Sequence, residues 1–239
     1  MQVVILAGGL GTRLRPFTDN TPKVMMPVHD GPFLLHTIRL LARDGLRDIV
    51  LCIGYQGRQV RDFFGDGRRF GVNIEYSEEK DILLGTGGAL KRAQPLLDDS
   101  FLLLNGDTYL DINYRVLADV YQHQGKWAVM TVTNSQQNLA LGGNVETNHD
   151  AMVIRYDKEH TGAHGLNHID AGALALNHAV LDLIESGRAV SLEKEIFPVL
   201  IARQELAAYP IDQTFYDIGT PERYHGFGKL IAARQIQQI

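Results

Sequence analysis

The sequence predicts a doubly wound, mostly parallel α/β sheet in a single domain. Short apolar segments alternate with amphipathic helical segments through residues 1–135, which is typical of repeated strand–helix units. The segments at residues 3–6 and 49–53 are apolar at every position, as expected for strands that are buried on both faces of a parallel sheet. A glycine-rich segment directly follows the first strand, at the edge where such folds bind ligands.

The elements of the first half follow one another in a regular order. The first predicted helix has apolar residues every three or four positions, and Gly45 ends it. The predicted strands are residues 3–6, 49–53, 72–76, 101–104 and 128–132. The predicted helices lie around residues 34–42, 60–64, 89–97 and 114–123.

The pattern is looser after Ser135, where polar segments rich in glycine and asparagine separate the elements. We expect strands at residues 152–156 and 169–176, helices at 178–186 and 192–202, and a last helix after Pro221, which suits a first helical turn. The sequence contains no linker, repeat or low-complexity segment. We therefore expect one domain over residues 1–239, in which a ligand-binding half (1–135) is followed by a half richer in short strands (136–239).

The composition is that of an ordinary globular chain. Of 239 residues, 45% are hydrophobic and 21% are charged, which excludes a disordered chain, a collagen and a coiled coil. The formal net charge of −5 gives no basic surface for nucleic acid, so we expect no such partner. No signal peptide is evident, and no apolar run reaches the roughly 18 residues of a membrane span. The single cysteine, Cys52, cannot form an internal disulfide and favours the cytoplasm.

The glycine loop at residues 8–11 predicts a phosphate site. Glycines let the backbone approach a ligand closely, and their amides can point at phosphate oxygens. The segment is neither a Walker loop, since Thr12-Arg13 replaces Gly-Lys, nor a dinucleotide fingerprint, since Leu14 replaces the last glycine. Arg13 within the segment and Lys23 after it add two cations, and together they indicate a polyphosphate site.

Two aspartates and a second glycine-rich segment are further candidates. Asp107 and Asp217 each follow a strand-like run, and Mg²⁺ takes one or two protein carboxylates together with phosphates and water. A turn or a helix cap is the alternative role for both aspartates. Residues 85–88 precede a predicted helix, where they would either hold a base or ribose edge or cap the helix.

In combination these motifs resemble the sugar-1-phosphate nucleotidyltransferases. The resemblance is carried by Gly8–Leu14 with Pro16, Thr18 and Pro22-Lys23, and then by Gly85–Gly88, Asn105-Gly106-Asp107 and Asp217–Thr220 in that order. Within this family the chain is most similar to the short heptose- or mannose-1-phosphate guanylyltransferases. Residues 191–198 also resemble a segment of these enzymes. The short N-acetylmuramate-1-phosphate uridylyltransferases have the same arrangement of motifs. The base therefore stays open between GTP and, for an amino-sugar 1-phosphate, UTP.

The resemblance implies a Rossmann-like nucleotidyltransferase fold and a set of residue roles. Arg13 and Lys23 would be catalytic, and Asp107 and Asp217 would hold Mg²⁺ as the cofactor. The reaction would join a nucleoside triphosphate to a sugar 1-phosphate in nucleotide-sugar synthesis for cell-surface polysaccharide. The implied nucleotide contacts are Leu6, Ala7, Gly8, Gly9, Gly11, Thr12, Thr86, Gly87 and Gly106.

The second half would bind the sugar phosphate through Lys158, Asp170 and Gly172. Two of these motifs depart from the family pattern. Lys158 lies in Asp-Lys-Glu where relatives often have Glu-Lys-Pro, and Asp170 begins Asp-Ala-Gly where relatives often have Asn-Ala-Gly. The oligomeric state stays open, with a homo-oligomer as one option.

Overall fold

A computed structural model describes residues 1–80 and 82–236 of the chain. The strands, in chain order, are β1 (Gln2–Leu6), β2 (Pro27–Val28), β3 (Gly31–Pro32), β4 (Asp48–Ile53), β5 (Asn73–Glu78), β6 (Ser100–Asn105), β7 (Thr108–Leu110), β8 (Ala128–Thr133), β9 (Val145–Thr147), β10 (Val153–Tyr156), β11 (Ile169–Asn177), β12 (Leu206–Ile211) and β13 (Phe215–Asp217). The α-helices are α1 (Phe33–Arg43), α2 (Gly57–Phe64), α3 (Gly85–Ala93), α4 (Tyr114–Gln124), α5 (Gln136–Leu139), α6 (Phe197–Ala202) and α7 (Pro221–Ile236).

Seven of these strands form one central sheet, in the order β12-β8-β11-β6-β1-β4-β5. Only β11 runs antiparallel to its neighbours, β6 and β8, and the other strands of this sheet run parallel to one another. The predicted α/β class with a mostly parallel sheet is thus confirmed. Strands β11 and β12 come from the second half of the chain, so both halves build one sheet and one domain.

Apolar layers cover both faces of the central sheet. On β1, Val3 and Ile5 are fully buried on one face, in the same cluster as Phe33 of α1. Val4 is fully buried on the other face, in the same cluster as Leu90 of α3. This two-sided burial explains why residues 3–6 of β1 are apolar at every position. Within the described residues, no helix is both long enough and apolar enough to cross a membrane.

Helix α3 begins earlier than predicted, because residues 85–88 form its first turn instead of a preceding loop. The amides of Gly87 and Gly88 both donate to the carbonyl of Val190. A Cβ at Gly85 would lie 2.7 Å from that same carbonyl oxygen. Glycine is a poor helix former, but this close tertiary contact leaves no room for a larger residue and outweighs the low propensity.

The helices of the second half are shorter than the sequence pattern indicates. The predicted helix at 178–186 is a 3₁₀ segment, His178–Leu183. The predicted helix at 192–202 is one π turn, Leu192–Ile196, followed by α6. Pro198 lies in the first turn of α6, where its missing N–H costs no helical hydrogen bond. Helix α7 begins at Pro221, as predicted.

Candidate active site

A cavity of about 260 Å³ opens at the carboxyl ends of β1, β4 and β6. Its position is the edge of a doubly wound sheet at which ligands bind. Helix α3 and the segment after β5 close its sides. The residues that line it are Leu6, Ala7, Gly8, Gly9, Lys23, Val24, Cys52, Glu79, Leu83, Gly85, Thr86, Ala89, Asn105 and Asp107.

A second, smaller cavity of about 190 Å³ continues from the first. Gly9, Lys23 and Asp107 line both cavities, and the remaining lining residues are Gly11, Thr12, Arg13 and Gly219. Of the nine predicted nucleotide contacts, five line the larger cavity (Leu6, Ala7, Gly8, Gly9 and Thr86) and Gly11 and Thr12 line the smaller one.

The other two predicted contacts, Gly87 and Gly106, line neither cavity. The Gly106 amide donates to the carbonyl of Leu6 at 2.9 Å, and a Cβ at Gly106 would lie only 2.5 Å from that oxygen. The Gly87 amide donates to Val190 at 2.8 Å. Both glycines therefore allow close backbone packing beneath the cavity, and their amides are already used within the fold.

Gly11 shapes the glycine loop. Its φ of 62° lies in the left-handed region, which glycine adopts without strain. The buried hydroxyl of Thr18 donates to the Gly11 carbonyl at 2.9 Å, so the signature threonine holds the loop from below. A Cβ at Gly11 would lie 3.1 Å from Cβ of Lys23. The loop and Lys23 are thus packed directly against each other.

Lys23 and Asp107 form an ion pair where the two cavities meet. Nζ of Lys23 donates to Oδ2 of Asp107 at 2.5 Å, and the lysine side chain is only 11% exposed. Asp107 accepts no hydrogen bond from a backbone amide among the described residues. A capping role would require such a bond, so the geometry gives that alternative no support for Asp107.

Asp217 reaches Asp107 through a two-stranded ribbon outside the central sheet. Strand β13 pairs with β7 so that Asp217 is opposite Thr108, and the amide of Ile218 donates to the Asp107 carbonyl at 3.2 Å. The two aspartates are 110 positions apart in sequence, yet their backbones are neighbours. Asp217 does not end a strand of the main sheet, and a metal ion shared by the two carboxylates stays a prediction.

A cation that the sequence did not indicate holds Asp217. NH1 of Arg223, in the first turn of α7, donates to both carboxylate oxygens at 3.1 and 2.9 Å. Oδ1 of Asp217 also accepts the Gly219 amide at 2.7 Å, which is the turn contact of the alternative role. Arg13 lies close by: its NH2 would be 3.5 Å from a Cβ at Gly219, and its guanidinium forms no ion pair with the described residues.

The two carboxylates suit a hard cation. Each carboxylate pairs with a cationic side chain, Lys23 or Arg223, so a metal ion would have to share or displace that partner. The described residues contain no group of three or more His, Cys, Asp or Glu side chains that would hold a metal alone. A metal at Asp107 and Asp217 would therefore complete its shell with phosphate and water, which is the usual arrangement for Mg²⁺.

Two of the predicted sugar-side residues, Lys158 and Asp170, lie in a second group of polar and charged side chains, which we term the acid–lysine cluster (Tyr156, Lys158, Asp170 and Glu193). Nζ of Lys158 donates to Oε1 of Glu193 at 2.9 Å. Oε2 of Glu193 accepts the hydroxyl of Thr86 at 2.8 Å. Glu193, on the π turn before α6, thus links the sugar-side lysine to the cavity. It was not among the predicted site residues.

Opposing effects act on the two acids of this cluster. Burial disfavours the ionised form of Glu193, but the charge of Lys158 and hydrogen bonds from Lys158 and Ser191 hold its pKa at about 2. No cation of the described residues lies at hydrogen-bond distance from Asp170. Burial, aided by the negative charge of Glu193, raises the pKa of Asp170 to about 6, although the Gly172 amide donates to it at 2.8 Å.

Gly172 connects this cluster to the end of β6. Its φ is +80°, and a Cβ there would lie 3.2 Å from both the side-chain amide nitrogen of Asn105 and a methyl carbon of Thr108. The hydroxyl of Tyr156 donates to Oδ2 of Asp170 at 3.2 Å. The predicted sugar-side residues Asp170 and Gly172 therefore lie beside the segment that carries Asp107.

Glu79 is the second acidic residue, after Glu193, that the sequence did not single out. It follows β5, lines the larger cavity and is half-buried, and burial raises its pKa. In the sequence it belongs to Glu78-Glu79-Lys80, which has the composition of an exposed strand end. Only the position of this segment against the glycine loop reveals it as a cavity residue.

Comparison with known proteins gives a consistent result. The family model described as "Nucleotidyl transferase" matches residues 2–233. The mannose-1-phosphate guanyltransferase of Yarrowia lipolytica is 34% identical over 228 residues, which are 94% of this chain and 62% of that protein. The chain thus spans less than two thirds of this relative's length. The UTP–glucose-1-phosphate uridylyltransferase of Synechocystis is 30% identical over 100% of this chain and 65% of its own.

A solved structure extends this similarity to almost the full length of both chains. The crystal structure of HddC from Yersinia pseudotuberculosis complexed with GMP-PN superposes with a TM-score of 0.78 at 25% identity. The match covers 96% of this chain and 99% of that one.

Proposed function

The chain belongs to the nucleotidyl transferase family, and we propose that it condenses GTP with a sugar 1-phosphate of the heptose or mannose type, releasing pyrophosphate. The observation that carries the proposal is the junction of the two cavities. There the glycine loop, Lys23 and Asp107 meet, with Asp217 and Arg13 next to them. This arrangement suits a polyphosphate whose reacting end lies among charged side chains.

Two comparisons support GTP as the nucleotide. The Yarrowia relative is named a guanyltransferase, and HddC was crystallised with GMP-PN. The Synechocystis relative, named for UTP, keeps uridylyl transfer as a second candidate, with an amino-sugar 1-phosphate such as N-acetylmuramate 1-phosphate as acceptor.

The reaction is a displacement at the α-phosphorus of the triphosphate. An oxygen of the sugar phosphate forms the new P–O bond, and the bond to the departing pyrophosphate breaks. The attacking oxygen already carries negative charge, so no general base is required. The barrier is repulsion between two anions, and catalysis rests on positioning and charge neutralisation. Lys23 and Arg13 are the cations placed to provide that neutralisation.

Asp107 and Asp217 would hold Mg²⁺, which neutralises phosphate charge when it is bound. Lys23 and Arg223 occupy these carboxylates in the protein alone. Both cations would exchange a carboxylate partner for phosphate oxygens when triphosphate enters. Lys23 would thus have a hydrogen-bond partner of opposite charge in either state.

The sugar phosphate would bind at the acid–lysine cluster. Lys158, which is 55% exposed, offers a cation at its rim, and Asp170 and Gly172 lie deeper, beside Asn105. Residues 1–135 would then serve the nucleotide and residues 136–239 the sugar phosphate. We also propose a cytoplasmic location, since nucleoside triphosphates and sugar phosphates are intracellular metabolites.

Pyrophosphate release tests the proposal. The purified protein is incubated with each of GTP, UTP, CTP and dTTP, and with mannose, heptose, glucose or N-acetylmuramate 1-phosphate, in the presence of Mg²⁺. We expect the highest kcat/KM for GTP with mannose or heptose 1-phosphate. Turnover with UTP and an amino-sugar phosphate would favour the second candidate, and no release with any pair would contradict both.

A further inference from the structure

Strand β13, which ends at Asp217, is held at the site by very little of its own structure. It has three residues, and it pairs with β7, the equally short strand that directly follows Asp107. A two-stranded ribbon is marginally stable by itself. The position of Asp217 relative to Asp107 therefore depends on what holds the other edge of β13.

The side chain of Asn138, in α5, holds that other edge. Its Nδ2 donates to the carbonyl of Phe215 at 3.0 Å, and its Oδ1 accepts the amide of Phe215 at 3.1 Å. One side-chain amide thus exchanges two hydrogen bonds with one strand residue, as a residue of a neighbouring antiparallel strand would. Phe215 precedes Asp217 by two positions, so the two side chains lie on the same face of β13.

Asn138 is in turn connected to the central sheet. It is only 2% exposed, and a buried amide group is costly unless it is hydrogen-bonded. Its Oδ1 also accepts the hydroxyl of Ser135 at 2.8 Å, and the Ser135 amide donates to Oγ1 of Thr133, the last residue of β8. Strand β13 is therefore held between β7 on one side and the end of β8, through Asn138, on the other.

We infer that Asn138 is a positioning residue for the proposed magnesium site. It fixes the main chain of β13, so that the carboxylate of Asp217 can hold one Mg²⁺ together with that of Asp107. Asn138 lines neither cavity, so its effect on a ligand must pass through Asp217. This inference rests on the proposed function, because it names a residue on which the metal site of that reaction depends.

The chain contains a matched control at the opposite end of the sheet. Gln2, the first residue of β1, is 8% exposed. Its Nε2 donates to the carbonyl of Leu96 at 2.9 Å, and its Oε1 accepts the amide of Asp98 at 3.0 Å. Gln2→Ala thus removes the same two kinds of hydrogen bond as Asn138→Ala, far from the carboxyl end of β1, where the larger cavity opens.

Equilibrium binding of GTP and of UTP, each in excess Mg²⁺ and in EDTA, tests the inference without sugar phosphate and without turnover. Mg²⁺ should tighten triphosphate binding by the native protein. Asn138→Ala should lose about 10-fold of this gain and keep nearly the native affinity in EDTA. Gln2→Ala should keep the whole gain. Thermal unfolding should show a similar fall in Tm for both variants, since each loses two buried hydrogen bonds.

A double-mutant cycle with Asp217→Asn shows whether Asn138 acts through that aspartate. In the Asp217→Asn protein, Asn138→Ala should cause no further loss of the Mg²⁺ gain, yet it should lower the Tm as much as it does in the native protein. Ser135→Ala is the milder variant if Asn138→Ala does not fold. It leaves Asn138 in place without the hydroxyl that donates to it, so a smaller loss of the same gain is expected.

Each outcome supports or overturns the inference. Equal weakening with Mg²⁺ and in EDTA, or an Mg²⁺ gain that survives Asn138→Ala, would reduce Asn138 to a structural contact. A native protein whose triphosphate affinity does not respond to Mg²⁺ would also overturn the inference. An Mg²⁺ gain that depends on Asn138, without pyrophosphate release from any substrate pair, would contradict the proposed function and leave the assignment of Asn138 intact.

Discussion

Main-chain atoms dominate the glycine-loop side of the site, whereas charged side chains dominate the acid–lysine cluster. On the first side, Gly8, Gly9 and Gly11 bring the backbone to the two cavities. On the second, Lys158 and Glu193 pair with each other. Because the glycine loop would contact a ligand mainly through its backbone, few side chains there can be removed by mutation. We therefore expect the few charged groups beside it to control turnover, and the cluster to control sugar-phosphate affinity.

The largest expected effect is at the two aspartates beside the glycine loop. Asp107→Asn and Asp217→Asn keep the side-chain shape, but each removes one charge from the proposed hard-cation site. Each should lower kcat/KM by about 10³-fold, with partial recovery at high Mg²⁺, and the double variant should lose little more than either single one. Kinetics of the double-mutant cycle across a Mg²⁺ titration measure this. Additive losses that do not respond to Mg²⁺ would mean that the aspartates have no common metal.

Lys23→Ala should have the next largest effect. In the proposed reaction this buried cation would act mainly on charge that develops in the transition state, so kcat should fall about 10²-fold. Affinity for GTP, measured by direct titration, should fall much less. Thermal unfolding serves as the control for folding, because the substitution leaves Asp107 without its ion-pair partner. An unchanged kcat in a folded variant would remove Lys23 from the catalytic group.

The sequence indicates the residues beside the glycine loop more readily than the residues of the acid–lysine cluster, for a physical reason. A tight backbone approach requires glycine, so residues 8–11 are evident in the sequence, with Arg13 and Lys23 nearby. Glu193 contacts Thr86 across 107 positions, and Arg223 and Glu79 are likewise polar residues whose roles depend on which elements meet. The first half was also predictable because buried parallel strands are continuously apolar. Strands β7 and β13, with three residues each, are too short for a periodic pattern.

Lys158→Ala tests the cluster side of the comparison. Removing the exposed cation should raise KM for the sugar phosphate about 10-fold and leave GTP affinity nearly unchanged. Lys194→Ala is the matched control, because Lys194 is similarly exposed and pairs with Glu159, which is not a residue of the cluster. Steady-state kinetics with each substrate varied in turn measure both. A larger effect of Lys158→Ala on kcat than on KM would break the division between the two sides.

The smallest expected effect is a pH-dependent change in stability at Asp170. Its pKa is about 6 in the folded protein and 3.8 in the reference state, so between these values the folded protein binds more protons than the unfolded chain. The stability contributed by this group is therefore full below the reference pKa, declines as the pH rises, and is lost above about pH 6. Asp170→Asn removes the ionisation and keeps an oxygen that can accept the Gly172 amide. We expect the variant to exceed the native protein in unfolding free energy by about 3 kcal/mol at pH 8 and by much less at pH 4.

Urea unfolding of both proteins at several pH values measures this difference, and the comparison cancels the titration of the other carboxylates. Asp157→Asn provides a control of opposite sign, because the amide of His160, with other donors, lowers the pKa of the Asp157 carboxyl. As the pH rises, Asp157→Asn should become less stable than the native protein, whereas Asp170→Asn should become more stable than it. A difference between Asp170→Asn and the native protein that stays constant with pH would mean that Asp170 is not held near its protonated form. The acid–lysine cluster would then be a set of ordinary ion pairs. It would differ from the glycine loop only in its residue composition.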